Sequence, residues 1–183
     1  GRERMEAMGP RVNRDYMPDQ HAEFFAQLPF LVVGSLDANL QPWASVLAAP
    51  AGFAHSPDAT HLRVDALPVH GDPLVGQLAQ GATLGLLGIE PHTRRRNRMN
   101  GTVESLDAGG FMVAVQQSFG NCPRYIQARE PAFVVPRGDA APVQWLDVLD
   151  LDAQRPIGSA DTLFIATAYP GDAATGDEAD ARS

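Results

Sequence analysis

Phe30-Leu-Val-Val-Gly-Ser-Leu36, Asp37-Ala-Asn-Leu-Gln41 and Pro42-Trp-Ala-Ser-Val-Leu-Ala-Ala49 follow one another as an apolar run, a polar turn and an alternating run. The first run is short and apolar, as a buried strand requires. In the last, Trp43, Ser45 and Leu47 alternate with Ala44, Val46 and Ala48, the two-residue period of a strand with one buried face. The three pieces form a β-hairpin, and the hairpin sets a mainly β class for the fold.

Upstream, Pro18 suits a first helical position and Phe24, Phe25 and Leu28 recur at helical spacing, so a short amphipathic helix precedes the hairpin and Pro29 ends it. Downstream, proline and glycine in 50–58 mark a loop, and His61 to Ala66 reads as a third strand. Asp72 can cap a helix that has Pro73 at its first position, runs through Leu74, Val75 and Leu78, and stops at Gly81. Ala82 to Ile89 is another buried strand, the arginine-rich segment after it leads into Gly101 to Leu106, and Phe111 to Gln117 is the next clear strand. This order predicts an antiparallel barrel with short helices packed outside it. After Gly120 the pattern weakens: 122–126 can open a helix, 132–136 and 143–149 are short apolar stretches, and Thr162 to Ala168 reads as a strand. Residues 1–17 are an N-terminal arm, 18–169 the domain, and 170–183 a flexible acidic tail.

The 183 residues suffice for one domain with a real core. Net charge is −8, which disfavours nucleic acid and anionic lipid as partners. The single cysteine, Cys122, excludes a disulfide framework within the chain and any multi-cysteine metal site. The histidines are scattered, so no metal site is expected. No apolar run reaches membrane-spanning length, and a cytoplasmic location is expected.

Against this acidic background, Arg94, Arg95, Arg96 and Arg98 fall within five positions. The chain has no lysine, so all 14 of its basic side chains are guanidiniums able to hold a phosphate or carboxylate through paired hydrogen bonds. On an extended segment Arg94, Arg96 and Arg98 would share one face and Arg95 the other. Three guanidiniums on one side suit a phosphate clamp; a charged edge strand resisting aggregation fits the same residues. Further candidates are the strand end Gln117, Ser118 and Asn121, the hairpin residues Trp43, Ala44 and Ser45, the helix start His70, Gly71 and Asp72, and Asn100 beside the arginines. No paired-carboxylate, Ser-His-Asp or glycine-rich nucleotide motif is visible, and no catalytic residue is assigned.

Several segments, in order, resemble the predicted flavin-nucleotide-binding proteins related to pyridoxamine 5'-phosphate oxidase, within the FMN-binding split-barrel superfamily. They are Phe24-Phe-Ala-Gln-Leu-Pro-Phe30, Val33-Gly-Ser-Leu-Asp37, Pro42-Trp-Ala-Ser45, Gly71-Asp-Pro73, Leu86-Leu-Gly-Ile-Glu90, Thr93-Arg-Arg-Arg-Asn-Arg98, Asn100-Gly101, Gly120-Asn-Cys-Pro123, Tyr125-Ile126 and Ala160-Asp-Thr162. The resemblance implies a six-stranded antiparallel split β-barrel that forms a homodimer, with FMN at the subunit interface. It implies an FMN-dependent oxidoreductase acting on a small substrate, or else a non-catalytic module holding a flavin or another phosphorylated ligand, with a reductase as possible partner. On that mapping the cofactor contacts are Trp43, Ala44, Ser45, His70, Gly71, Asp72, Arg94, Arg96, Arg98, Asn100, Gln117, Ser118 and Asn121. The arginine and lysine that grip the phosphate in the true oxidase have no counterpart in Trp43 to Leu47, so pyridoxamine phosphate is not the expected substrate. Members of this branch continue past the Ala-Asp-Thr strand into a Ser-His-Arg-Gly-Gly-like segment, which the tail here stops short of.

Overall fold

The computed structural model describes residues 14–120, 126–132, 134, 142–169 and 180–182. Its main feature is a seven-stranded antiparallel sheet built from β1 (Phe30–Leu36), β2 (Pro42–Ala48), β3 (Ala54–Asp58), β4 (His61–Val64), β5 (Thr83–Glu90), β6 (Arg95–Asp107) and β7 (Gly110–Gly120). The strands lie in the order β2-β1-β5-β6-β7-β4-β3, and the sheet is not closed. The chain is thus mainly β, as its alternation predicts, with seven strands where the resemblance implies six. The extra one is β3, in the stretch expected to be a loop. Pro57 falls in an irregularity of the β3–β4 ladder between His55 and Asp58, and because β3 is the last strand of the sheet no second ladder is lost there.

The hairpin forms as its sequence requires, with Phe30 opposite Ala48 and Leu36 opposite Pro42. The Asp37 carboxylate closes its turn, accepting from the backbone N–H groups of Asn39 and Gln41 and from the Trp43 indole. Inward-facing Leu31, Val33, Leu47, Leu84, Leu86, Met99, Val103, Phe111 and Val113 join one buried cluster. Helix α1 (Asp19–Ala26) lays Phe24 and Phe25 into it, followed by Leu28. Each such side chain, buried from water, contributes about 1.5–3 kcal/mol. A Cβ at Gly88 would lie 2.5 Å from Leu28 Cδ1 and 2.9 Å from Phe24 Cε1, so the absence of a side chain on β5 lets α1 sit this close.

A bulge interrupts the β6–β7 ladder. Asn100 is opposite Gln117 but Gly101 is opposite Val115, leaving Gln116 as the extra residue. Gln116 and Gln117 consequently face the same side, reaching Thr102 and Asn100 on β6.

Helix α2 (Leu74–Gln77) is shorter than the predicted helix ending at Gly81, since Leu78 is already extended. A further helix, α3 (Leu151–Ser159), has Asp150 as its cap and contains Pro156. The strand expected over 162–168 is reduced to β8 (Thr167–Tyr169), paired with β9 (Asp180–Arg182). The rest of the expected tail, the arm up to residue 13 and the possible helix opening at 122–125 lie outside the described residues. No helix among the described residues is long and apolar enough to cross a membrane.

Candidate functional site

Strand alternation distributes the arginines. β6 begins at Arg95, and the residues after it alternate between the core face, with Asn97 and Met99 buried, and the outer face, with Arg96, Arg98 and Asn100. The ladders carry those outer positions across the sheet. Arg96 is opposite Ile89; Arg98 lies between Leu87 and Phe119, with Val32 beyond Leu87. Asn100 lies between Gly85 and Gln117, and the same row continues through Gly34 to Ala44.

This face borders a cleft of about 590 Å³. Phe30, Leu87, Ile89, Arg96 and Arg98 form its sheet side, and segments 126–131 and 161–165 stand opposite. Phe164 packs against Phe30 with ring centroids 6.2 Å apart, Ile126 joins the small cluster of Val32, Leu87 and Ile89, and Arg129 pairs with Asp161 to tie the two segments together. The result is an apolar floor bordered by Arg96 and Arg98, with Glu130 and the Arg129–Asp161 pair also in its lining. Arg98 Nε is out of solvent with no hydrogen-bond partner among the described residues. Burial, and secondarily the Arg96 charge, push the Arg98 guanidinium below its ordinary pKa. One row on, Asn100 Nδ2 donates to Gln117 Oε1 at 3.0 Å, presenting an ordered amide pair.

Arg94 departs from the expected arrangement. It is not on the strand but in the preceding turn, with φ of 59°, and borders a different cavity from Arg98. The turn begins at Pro91, and the Thr93 hydroxyl bonds back to the Glu90 carboxylate, so the extended geometry needed for a three-arginine face starts one residue too late.

Ser118 is also displaced. As the neighbour of Gln117 on a strand it must face the other way, and it is fully buried with its Oγ 2.8 Å from His21 Nδ1. His21 was not among the predicted residues. Its place three and four positions before Phe24 and Phe25, on the apolar stripe of α1, is the signal that marks it for burial. Burial, then the charges of Arg14 and Arg95, lower its pKa.

Ser45 and Asp72 meet each other rather than the arginines. Ser45 faces the core side of β2 and donates to Asp72 Oδ1 at 2.5 Å, while the same carboxylate oxygen accepts from the Leu74 N–H at 2.8 Å. Ser35 and Gln77 form a parallel link. These bonds fasten the 70–73 loop and α2 to the hairpin. His70 is exposed, Gly71 holds φ of 89°, and Trp43 is committed to Asp37. Of the predicted contacts, Arg96, Arg98, Asn100 and Gln117 therefore share one face, with Ala44 at the far end of their row. Ser45, Asp72, Ser118 and Arg94 do not join them, and Asn121 lies outside the described residues.

Comparisons with protein-family models, with curated proteins and with solved structures find no match to this chain.

Proposed function

We propose that the outer-face cleft binds FMN, and that the chain is a flavoprotein related to pyridoxamine 5'-phosphate oxidase, with a split-barrel domain that works as a homodimer on a small substrate. The observation that carries this reading is Arg98: a half-buried guanidinium, beside a second arginine, whose Nε has no hydrogen-bond partner among the described residues. A buried donor left unsatisfied is costly, and an anion between the two arginines would remove that cost.

The remaining residues fit the other parts of such a ligand. The cleft volume falls within the roughly 300–1,000 Å³ typical of small-molecule sites. Phe30, Leu87 and Ile89 offer an apolar floor for a flat ring, and the Asn100–Gln117 pair offers both a donor and an acceptor for polar edges. Arg96 and Arg98 would hold the phosphate. A bound flavin supplies electron transfer, while the protein supplies binding, orientation and exclusion of water. The exposed apolar side chains of the 142–165 region, among them Trp145, Val148, Leu149 and Leu163, support the dimer, since clustered exposed apolar residues mark contacts with another chain.

The test is titration of the purified chain with FMN, followed by absorbance near ~450 nm, where bound flavin is yellow. Saturable binding that weakens in Arg96→Ala and Arg98→Ala supports the reading; no binding, or binding indifferent to both changes, refutes it. Reduction of the bound flavin by NADH or NADPH with turnover would mark an enzyme, whereas stoichiometric flavin without reduction would mark a binding module.

A further inference from the structure

The arginine segment has a second side. Arg95 leaves β6 on the face opposite Arg96 and Arg98, Arg94 stands in the turn ahead of it, and the first turn of α1 brings Gln20 and His21 over the same space. The cavity so formed is about 490 Å³. Arg94, Arg95 and Arg96 border it, Thr93 and Asn97 add neutral donors, and none of its described lining residues is acidic. Glu90, opposite Arg95 in the ladder, directs its buried carboxylate to Thr93 and His92 instead. Arg95 rests over the Phe24 ring at 5.2 Å, which steadies the guanidinium at the cavity edge. Arg94 and Arg95 are consecutive cations at one cavity whose described lining holds no acidic residue, so an anion entering it would be favoured by both.

We propose that this inner cleft is a second anion site, built for the phosphate group of a small phosphorylated molecule. It is separated from the outer cleft by β6, and Arg96 borders both. Phosphate fits better than carboxylate because a phosphate monoester carries nearly two charges and three acceptor oxygens, against one charge and two oxygens. The Arg94 and Arg95 guanidiniums, with the Asn97 amide on the same face of β6, match the former. Arg94 and Arg95 border the inner cleft and not the outer one, so this site does not depend on the flavin reading.

The test uses inorganic phosphate as the probe, titrated calorimetrically at constant ionic strength into an Arg98→Gln background that weakens the outer cleft. The expected result is saturable phosphate binding in R98Q, weakened about tenfold by adding Arg94→Gln and about a hundredfold by adding Arg94→Gln and Arg95→Gln together. Arg94 is exposed in a turn, so the R94Q/R98Q protein retains its core and keeps the test readable should the triple variant fold poorly. Acetate should bind R98Q at least roughly tenfold more weakly than phosphate. The proposal is overturned if R98Q shows no saturable phosphate binding, if R94Q/R98Q binds phosphate as tightly as R98Q, or if acetate equals phosphate.

Discussion

Replacing Arg98 by methionine separates a binding role from a structural one. Arg98 stands between Leu87 and Phe119, half-buried, with Nε out of solvent and without a hydrogen-bond partner among the described residues. Such an unsatisfied donor costs about 1–3 kcal/mol. Methionine keeps a flexible stem against Leu87 and Phe119 while removing both donor and charge. The ligand-free protein should therefore gain about 1 kcal/mol, raising Tm by about 2–4 °C for a chain of this size. Flavin binding should move the other way. Two charge-assisted hydrogen bonds to a phosphate are together worth about 3–4 kcal/mol, so their loss weakens Kd roughly a hundredfold to a thousandfold. Thermal and urea unfolding of the ligand-free protein reads the first effect, and quenching of flavin fluorescence reads the second. A methionine variant that is less stable than the parent and binds FMN within roughly threefold of it would refute the reasoning on both counts.

Other substitutions probe the scaffold. A Cβ at Gly101 would lie 2.2 Å from the Ala114 carbonyl oxygen and 2.7 Å from Val113 Cγ1. Gly101→Ala must then part β6 from β7, and should cost about 3 kcal/mol or more; a melting point within about 2 °C of the parent would exclude this. Asp107 is held at about 2 by Arg63 and then by the Gly109 N–H, below the ordinary 3.8. Its contribution to stability is present above that ordinary value and lost as pH falls toward 2, so Asp107→Asn should flatten the acid limb of a stability–pH profile. An unchanged limb would show that the Arg63 pairing does not stabilise the fold. His21, lowered from 6.5, disfavours its proton in the folded state. Stability should thus fall as pH drops below 6.5, and His21→Gln should remove that fall in urea midpoints measured on either side of it.

What the sequence makes legible follows from alternation. The Phe30–Ala48 hairpin, the burial of Leu47 and the shared face of Arg96 and Arg98 all come from a two-residue period that nothing interrupts. The failures have local causes. Ala54–Asp58 contains Ser56-Pro57, which resembles a turn until the strand is known to be at the sheet edge. The helix Leu151–Ser159 is concealed by Pro156 and Gly158, although Asp150 and Asp152 provide its acidic start. Arg94 was expected in phase with Arg96 and Arg98, but the phase is set where extension begins, and the Pro91–Thr93 turn delays it. Gln117 and Ser118, treated as a pair, could not both face one ligand from a regular strand. The apolar side of the cleft, formed by Phe30, Leu87 and Ile89 with segments more than 30 residues later, depends on which strands become neighbours, and no local pattern encodes that.

The extra residue Gln116 gives β7 two reading frames. From Phe111 to Val115 the odd-numbered side chains point inward; beyond Gln116 it is Ser118 that does so. Without this shift, a strand filling the core with Phe111, Val113 and Val115 would turn Gln117 inward and away from Asn100. The bulge thus works as a phase joint, letting the core half and the binding half of one strand satisfy different demands. With Gln116 deleted, Val115 and Gln117 would pair with the adjacent Gly101 and Asn100 on a regular ladder and keep their faces, so the site depends on Gln116 being taken up as a bulge and not as a ladder residue.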